Sequence, residues 1–251
     1  MSGAAQFSFQ AVIPPTAPIH PPERVPGPPE LHHSKGRYQN PDSFLDRITG
    51  IIHVGANTGQ ERELYASKGL RVLWEEPRPD VYEKLVSNLK NFSNQKAVQA
   101  LLYDRDDVQL SLNIANNGGA SSSIMDFKDH KLLWPEVNYV NSIEMTTKTL
   151  TSLVRETQLD LAVCNSIVLD TQGSELSILK GAIPLLSRIA YVKTEVPDFE
   201  AYLGCPMLPE FTSFMKDQGF RLVSRRAHAE STSSRAYFDV TYKNIKLANR
   251  A

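Results

Sequence analysis

The chain has 251 residues, 41% of them hydrophobic, and its 27 basic and 28 acidic side chains leave a net charge of −1. This content is ample for the core of one or two domains, and the balanced charge excludes the broad positive field that binds nucleic acid or an anionic membrane. The two cysteines have no metal-binding or redox spacing, and no apolar run approaches the ~18 residues that span a bilayer, so we expect a soluble, cytoplasmic protein.

A proline-rich segment covers residues 1–42. Nine of the 16 prolines lie before residue 42, and proline lacks the backbone N–H that regular structure uses. We therefore predict an extended or disordered arm. Its first six residues lack the basic and apolar regions of a secretory signal. The arm is either a passive tail or a docking segment for a partner, such as a second copy of the chain or a proline-binding module.

Strands alternate with helices in the predicted domain, residues 43–251. The predicted strands are 51–54, 70–75, 97–102, 108–114, 143–148, 166–170, 189–196, 220–225 and 236–242. The predicted helices are 43–49, 58–68, 80–91, 149–157, 174–186 and 208–218. This alternation is typical of an α/β fold with a doubly wound, mostly parallel sheet. The last two strands are expected to form an antiparallel pair at the C-terminal edge of the sheet.

The first turn after a predicted strand carries two glycines, Gly55 and Gly59. Gly55 lets the chain reverse and a ligand approach the backbone, while Gly59 lets the following helix pack closely. A dinucleotide fingerprint has a third glycine between them for the pyrophosphate, but this chain has Asn57 there. A ligand with a ribose and no pyrophosphate, such as S-adenosylmethionine, is therefore favoured. The alternative is an ordinary strand–helix turn that uses glycine only for its geometry.

Acidic residues follow the ends of several predicted strands. Gly55, Glu76, Asp104 and Asp170 all lie at or just after such ends. Ligands of parallel α/β sheets bind beyond the carboxyl ends of the strands, so these four segments are expected to meet at one crevice. The carboxylate of Glu76 is predicted to accept hydrogen bonds from both ribose hydroxyls. The neighbouring Glu75 is expected to point away.

With these residues in place, the chain resembles the FkbM-type methyltransferases over about residues 45 to 243. Three stretches carry the resemblance: Val54–Gln60 is similar to the family's V-G-A-N-x-G, Glu76–Pro79 to its E-P-x-P, and Leu169–Ala182 to its D-x-Q-G-x-E-x-x-x-L-x-G-A. The resemblance implies a Rossmann-like fold, S-adenosylmethionine as cofactor, and methyl transfer to a hydroxyl of a sugar or another small molecule.

Two positions depart from the family pattern. His53 stands where the family usually has aspartate, and Val168 where it often has lysine. The first departure concerns cofactor binding and the second alters the charge near the reaction centre. Two alternatives stay open beside O-methylation. One is methylation of nitrogen. The other, which these two departures support, is a binding module that has kept the fold without the activity and is recruited through the proline-rich arm.

The resemblance also implies which residues hold the cofactor. Backbone groups near Gly55 and Asn57 would meet the amino-acid tail, and Asp104 would accept from the adenine amino group, unless it belongs to a solvated turn. The loop 118–123 would close over the cofactor as a flap, unless it is a plain hairpin loop. The predicted cofactor-binding residues are Gly55, Ala56, Asn57, Gly59, Glu76, Asp104 and Ser122.

Asp170, Glu195 and His130 are the candidate catalytic residues. The cofactor supplies a strong electrophile, so the protein mainly aligns the acceptor and helps to remove its proton. Asp170 could orient the acceptor hydroxyl or serve as the base. Glu195, at the end of the next strand, could flank the same site and raise one carboxyl pKa, or belong to a buried ion pair. His130 could be carried to the site by the flap or simply be solvated. No metal is predicted.

Overall fold

A seven-stranded sheet forms the centre of the computed structural model, which describes residues 41–230 and 235–247. The predicted proline-rich arm, apart from its last two residues, lies outside the described residues. In chain order the strands are β1 (Gly50–Val54), β2 (Arg71–Glu75), β3 (Gln95–Val98), β4 (Leu101–Leu102), β5 (Gln109–Ala115), β6 (Tyr139–Lys148), β7 (Ser166–Leu169), β8 (Tyr191–Pro197), β9 (Phe220–Glu230) and β10 (Ala236–Asn244). The main sheet has the order β3–β2–β1–β7–β8–β10–β9, and a second sheet has the order β4–β6–β5.

The main sheet is mostly parallel. β1 pairs in parallel with β2 and β7, and β7 pairs in parallel with β8, whereas β10 runs antiparallel to both β8 and β9. Every residue of β1 is buried, as expected for a strand that is covered on both faces. The predicted α/β sheet with an antiparallel C-terminal pair at its edge is confirmed. The reversed strand, β10, is inserted between β8 and the edge strand β9.

Helices cover this sheet. They are α1 (Arg62–Ser67), α2 (Pro79–Asn88), α3 (Leu150–Glu156), α4 (Glu175–Gly181), α5 (Ile183–Leu186) and α6 (Leu208–Asp217), with 3-10 helices at Ser43–Arg47 and Asp129–Leu132. In α2, Pro79 occupies the first turn, where its missing N–H is tolerated, and Val81 and Leu85 form the buried face. Within the described residues, no helix combines the length and the apolar content that crossing a membrane requires.

Two apolar clusters cover the two faces of the main sheet. Ile52 and Val54 of β1 belong to the larger cluster, and Ile51 belongs to the other one together with Trp74 of β2. This division follows from the period of two along a strand. His53 therefore shares the face of Ile51, and its ring stacks on Trp74 with centroids 4.7 Å apart.

The predicted strand 97–102 is divided between the two sheets. β3 ends at Val98, whose register partner Glu75 is the last residue of β2. Beyond this point β2 offers no further partner, since the chain turns away through Pro77. Leu101 and Leu102 form β4 and pair in parallel with β6 instead. The residues that follow β4 are therefore carried away from the edge of the main sheet.

Two predicted helices are shorter than expected. α1 begins only at Arg62, because the residues before it form a turn in which Asn57 has a φ of 46°. The predicted helix 174–186 is divided into α4 and α5 at Ala182. Pro184 lacks an N–H and its ring would clash within a continuing helix, whereas it is tolerated in the first turn of a new one.

Candidate functional site

A cavity of about 210 Å³ opens at the carboxyl ends of β1, β2 and β7. These strands surround the point where the strand order reverses, since the chain passes from β1 to β2 on one side and β7 lies on the other. Such switch points are where doubly wound sheets bind ligands. The predicted residues that line this cleft are Gly55, Ala56, Asn57, Glu76, Ser122 and Asp170. The structure thus brings together four segments that are distant in sequence.

The turn after β1 is packed tightly against the end of β7. Gly55 has a φ of 77°, and a Cβ atom placed on it would lie 1.9 Å from the backbone oxygen of Asp170. No other residue can occupy this position without displacing the backbone of β7. The N–H groups of Gly55 and Ala56 both donate to the backbone oxygen of Glu75, at 3.1 and 2.8 Å. The turn is therefore fixed to both neighbouring strands.

Glu76 is a buried carboxylate whose position is fixed by the backbone. Its Oε2 accepts from the N–H of Asn57 at 2.8 Å, and its Oε1 accepts from the N–H of Arg78 at 3.0 Å. Burial raises the pKa of Glu76, and these two bonds oppose that shift. A carboxylate has about four lone-pair sites, so each oxygen can still accept from a ligand hydroxyl. A vicinal diol such as that of ribose matches this arrangement.

Glu75 also lines the cleft, contrary to the expectation that it points away. Its side chain is 1% exposed, and its Oε2 accepts from the N–H of Gly55 at 3.2 Å. Its Oε1 has no hydrogen-bond partner within the described residues. Burial, and then the negative charge of Glu76, raise the pKa of Glu75 well above its ordinary value. Strand alternation had suggested opposite directions for the two acids, but the chain turns directly after Glu75 and brings both to the same cleft.

Asp170 lies at the carboxyl end of β7 and is exposed at the cleft. Its Oδ1 accepts from Nε2 of Gln172 at 2.6 Å, and Oε1 of Gln172 accepts from the hydroxyl of Tyr202 at 2.7 Å. Partial removal from water, and then the charge of Glu195, raise the pKa of Asp170 to about 7. A carboxyl group that titrates near neutral pH can accept a proton from a substrate. Gln172, which has a φ of 56°, was not among the predicted site residues.

Glu195 lies outside the main cleft. It lines a smaller cavity with Gln172, Tyr202 and Tyr237 among others. Because Gln172 borders both cavities, the smaller one adjoins the cleft on the side of Asp170. Glu195 therefore acts on Asp170 through its charge, and the main cleft is lined by other residues.

His130 is held in an aromatic cluster and not on a flap. Its ring stacks on Phe127 at 5.0 Å between centroids, its Nδ1 is hydrogen-bonded to the hydroxyl of Tyr237 at 2.8 Å, and it is 2% exposed. Burial lowers the pKa of His130 to about 4. In this structure no flap carries His130 to the cleft, contrary to the prediction. Its ring is buried among aromatic side chains, and the residue does not line the cleft.

Two predicted cofactor residues, Gly59 and Asp104, also lie away from the cleft. A Cβ atom on Gly59 would lie 2.8 Å from Cδ1 of Leu85, so this glycine allows the turn to pack on α2. Asp104 forms an ion pair with Arg105 at 3.2 Å. It is displaced because β4 leaves the main sheet. The cleft wall near that place is formed by apolar side chains, which the sequence interpretation missed: Leu101, Leu102, Leu112 and Ile124.

Arg78 links the predicted flap to the end of β2. Its Nη1 donates to the backbone oxygen of Gly118 at 3.3 Å, and its side chain lines the cleft. Ser122, in the same loop, accepts through Oγ from the N–H of Ala115 at 3.1 Å. The hydroxyl of Ser122 therefore shapes the loop as well as lining the cleft. Arg78 occupies the variable position of E-P-x-P, so the motif gave no signal for it.

His53 also lines the cleft, at the position where the family usually has aspartate. Its Nδ1 is hydrogen-bonded to the hydroxyl of Tyr65 at 3.2 Å. Burial, and then the charge of Lys193, lower the pKa of His53 to about 3, so the ring is neutral. The register places Val168 between His53 and Lys193. The amine of Lys193, on the strand next to Val168, pairs with Asp42 at 2.5 Å.

Comparison with known proteins identifies the family. The model of the methyltransferase FkbM domain matches residues 53–222. The chain belongs to the FkbM methyltransferase family. The resemblance inferred from three motifs is thus confirmed, and S-adenosylmethionine is the cofactor of this methyltransferase fold. No curated protein sequence matches the chain.

Solved structures with a similar fold are distant in sequence. Precorrin-6y C5,15-methyltransferase from Geobacter metallireducens is 14% identical, with 78% of this chain and 79% of that chain covered and a TM-score of 0.41. A putative RNA methyltransferase from Pyrococcus horikoshii is 14% identical, with 83% and 87% covered and a TM-score of 0.41. TrmK from M. capricolum, in complex with S-adenosylhomocysteine, is 7% identical, with 82% and 67% covered and a TM-score of 0.47.

The residues of the cleft fit S-adenosylmethionine. Glu76 suits a ribose, the turn at Gly55 borders the cleft without a side chain, and the apolar wall suits a base. Two buried polar atoms of cleft residues, Oε1 of Glu75 and Oγ1 of Thr171, have no hydrogen-bond partner within the described residues, as expected where a ligand supplies one. Residues 41–230 and 235–247 contain no group of three or more His, Cys, Asp or Glu side chains placed to hold a metal ion.

Proposed function

We propose that the chain transfers a methyl group from S-adenosylmethionine to a hydroxyl group of a small molecule, with a sugar as the preferred class of acceptor. One observation supports the proposal above all: a single cleft combines the ribose-type carboxylate of Glu76, the tight turn at Gly55 and the carboxyl of Asp170. The first two suit the nucleoside and tail of the cofactor. The third suits the acceptor, because its pKa is raised to about 7.

In this proposal the residues of the chain bind, orient and accept a proton. S-adenosylmethionine supplies an electrophilic methyl group when bound. Glu76 holds the ribose, and Asp170 accepts the proton that the acceptor hydroxyl loses. Gln172, which donates to Asp170 and accepts from Tyr202, fixes the direction of that carboxyl. The apolar wall at Leu101 and Leu102 excludes water from the nucleoside side.

A second candidate is methyl transfer to an amine. The smaller cavity beside Asp170 is lined by the carboxyls of Glu175 and Glu195, and acidic walls favour a cationic acceptor. A carboxylate with a pKa near 7 also removes a proton from an ammonium group more readily than from an alcohol. The third candidate, a binding module without activity, is supported by the neutral His53 at the family's aspartate position.

Calorimetry and an acceptor screen test the proposal. The full chain should bind S-adenosylmethionine and S-adenosylhomocysteine in the micromolar range, and Glu76→Ala should weaken both by about tenfold or more through the loss of charge-assisted hydrogen bonds. Glu83→Ala, which changes an exposed acid on α2, is the matched control and should bind as the wild type does.

The screen follows methyl transfer by mass spectrometry, with sugars, polyols and amines as acceptors. Transfer to the hydroxyl compounds supports the proposal. Transfer to amines alone would replace it by the second candidate. Absence of cofactor binding would refute the proposed activity, and binding without transfer to any acceptor of the panel would favour the binding module.

A further inference from the structure

Glu75 is placed where a carboxyl group is unfavourable for folding. It is the last residue of β2, between β1 and β3, with Val54 and Val98 as its register partners. Its side chain is 1% exposed. A buried carboxyl group costs folding free energy unless its polar atoms are paired.

The hydrogen bonds of Glu75 leave one carboxyl oxygen unused. Its Oε2 accepts from the N–H of Gly55 at 3.2 Å, and the same N–H also donates to the backbone oxygen of Glu75 at 3.1 Å. Among the residues that the structure describes, its Oε1 has no hydrogen-bond partner and no salt bridge includes Glu75. The protein therefore supplies one hydrogen-bond donor to the side chain of Glu75, which as a carboxylate has about four acceptor sites.

Glu76 differs from Glu75 in this respect, although the two are adjacent. The N–H groups of Asn57 and Arg78 each donate to one oxygen of Glu76, which stabilises its ionised form. Burial, and then the charge of Glu76, raise the pKa of Glu75 well above its ordinary value and so favour its protonated form. In its protonated form Glu75 can donate a hydrogen bond, whereas an ionised Glu76 beside it only accepts.

We propose that Glu75 is a second binding residue of the cofactor site, whose carboxyl group donates a hydrogen bond to the nucleoside part of S-adenosylmethionine while Glu76 accepts from the ribose hydroxyls. The proposal rests on the proposed function and adds to it a neutral donor beside the ribose carboxylate. Glu75 lines the cleft. Its terminal torsion has broad preferences, so the carboxyl can turn towards a ligand at little cost.

Calorimetry with two ligands tests this assignment on the full chain. S-adenosylhomocysteine contains the nucleoside and the amino-acid tail, whereas 5′-methylthioadenosine contains the nucleoside alone. Glu75→Met and Glu75→Val remove the donor, and each should weaken both ligands by about tenfold or more, the loss of one buried hydrogen bond. Glu75→Gln keeps an N–H donor and a carbonyl acceptor, and should bind both ligands within about threefold of the wild type.

Thermal melting without ligand separates this role from a structural one. Glu75→Met should melt at the same temperature as the wild type or higher, because an unpaired carboxyl has been removed from the interior. Gln95→Met is the matched control: Gln95 is buried on β3 and accepts from Nε1 of Trp74 at 2.9 Å, outside the cleft. It should melt at a lower temperature and bind both ligands as the wild type does.

Each other outcome overturns the assignment. Ligand binding within about twofold of the wild type in both apolar variants would show that Glu75 donates nothing to the ligand. An equal loss in Glu75→Gln would show that a charge is needed and not a neutral donor. A loss with S-adenosylhomocysteine alone would place Glu75 at the amino-acid tail. If the wild type binds neither ligand, the proposed function itself fails, which is a different result from these three.

Discussion

Replacing Gly55 by alanine places a methyl group against the end of β7. The added Cβ would lie 1.9 Å from the backbone oxygen of Asp170 and 2.8 Å from its carbonyl carbon, and neither atom belongs to a flexible side chain. The φ of 77° adds left-handed strain. Left-handed strain destabilises by about 1–2 kcal/mol and overpacking by about 1–3 kcal/mol, and the stiffer unfolded chain offsets about 0.4–1 kcal/mol of this. The predicted net loss of stability is about 1–5 kcal/mol.

Gly69→Ala is the matched control for this prediction. Gly69 has a φ of 67°, and nothing lies within 4 Å of a Cβ placed on it. The two substitutions share the backbone strain and the effect on the unfolded chain, so the difference between them isolates the contact with β7. Urea unfolding should show Gly55→Ala to be less stable than Gly69→Ala by about 1–3 kcal/mol. Equal losses would refute the view that close packing of β1 on β7 requires this glycine.

Three further predictions concern the cleft and the smaller cavity beside it. Turnover should rise as the pH passes through about 7, because Asp170 accepts a proton only when it is ionised. Asp170→Asn should abolish turnover while S-adenosylhomocysteine still binds. A flat pH profile of turnover would show that Asp170 is not the base. Gly119→Ala should lower the affinity for S-adenosylhomocysteine in calorimetry, because the added Cβ would lie 1.5 Å from Nη1 of Arg78 and displace that side chain. Unchanged affinity would show that the loop does not close on the cofactor. Tyr202→Phe should lower the urea-unfolding free energy by about 1–2 kcal/mol because Gln172 loses its donor, and an unchanged midpoint would contradict this.

Local patterns predicted the main elements of the fold and part of the cleft. The apolar runs at 51–54 and 166–170 predicted buried parallel strands, and the rule for strand ends predicted that Gly55, Glu76 and Asp170 share a crevice, as they do. The breaks between β3 and β4 and between α4 and α5 were not predicted. The first depends on where β2 ends, a partner remote in sequence, whereas Pro184 was a local signal for the second.

The amino-acid sequence by itself determined the α/β class, the glycine turn, the place of Glu76 at the cleft and the family, because these depend on short-range periodicity and on motifs of adjacent residues. Only the tertiary structure decided which side chains line the cleft. His130 does not line the cleft because it is buried among aromatic rings, and Asp104 does not line it because β4 leaves the main sheet. Glu75 lines it because the chain turns directly after β2. Each of these outcomes depends on contacts between segments that lie apart along the chain, and periodicity within one segment carries no information about them.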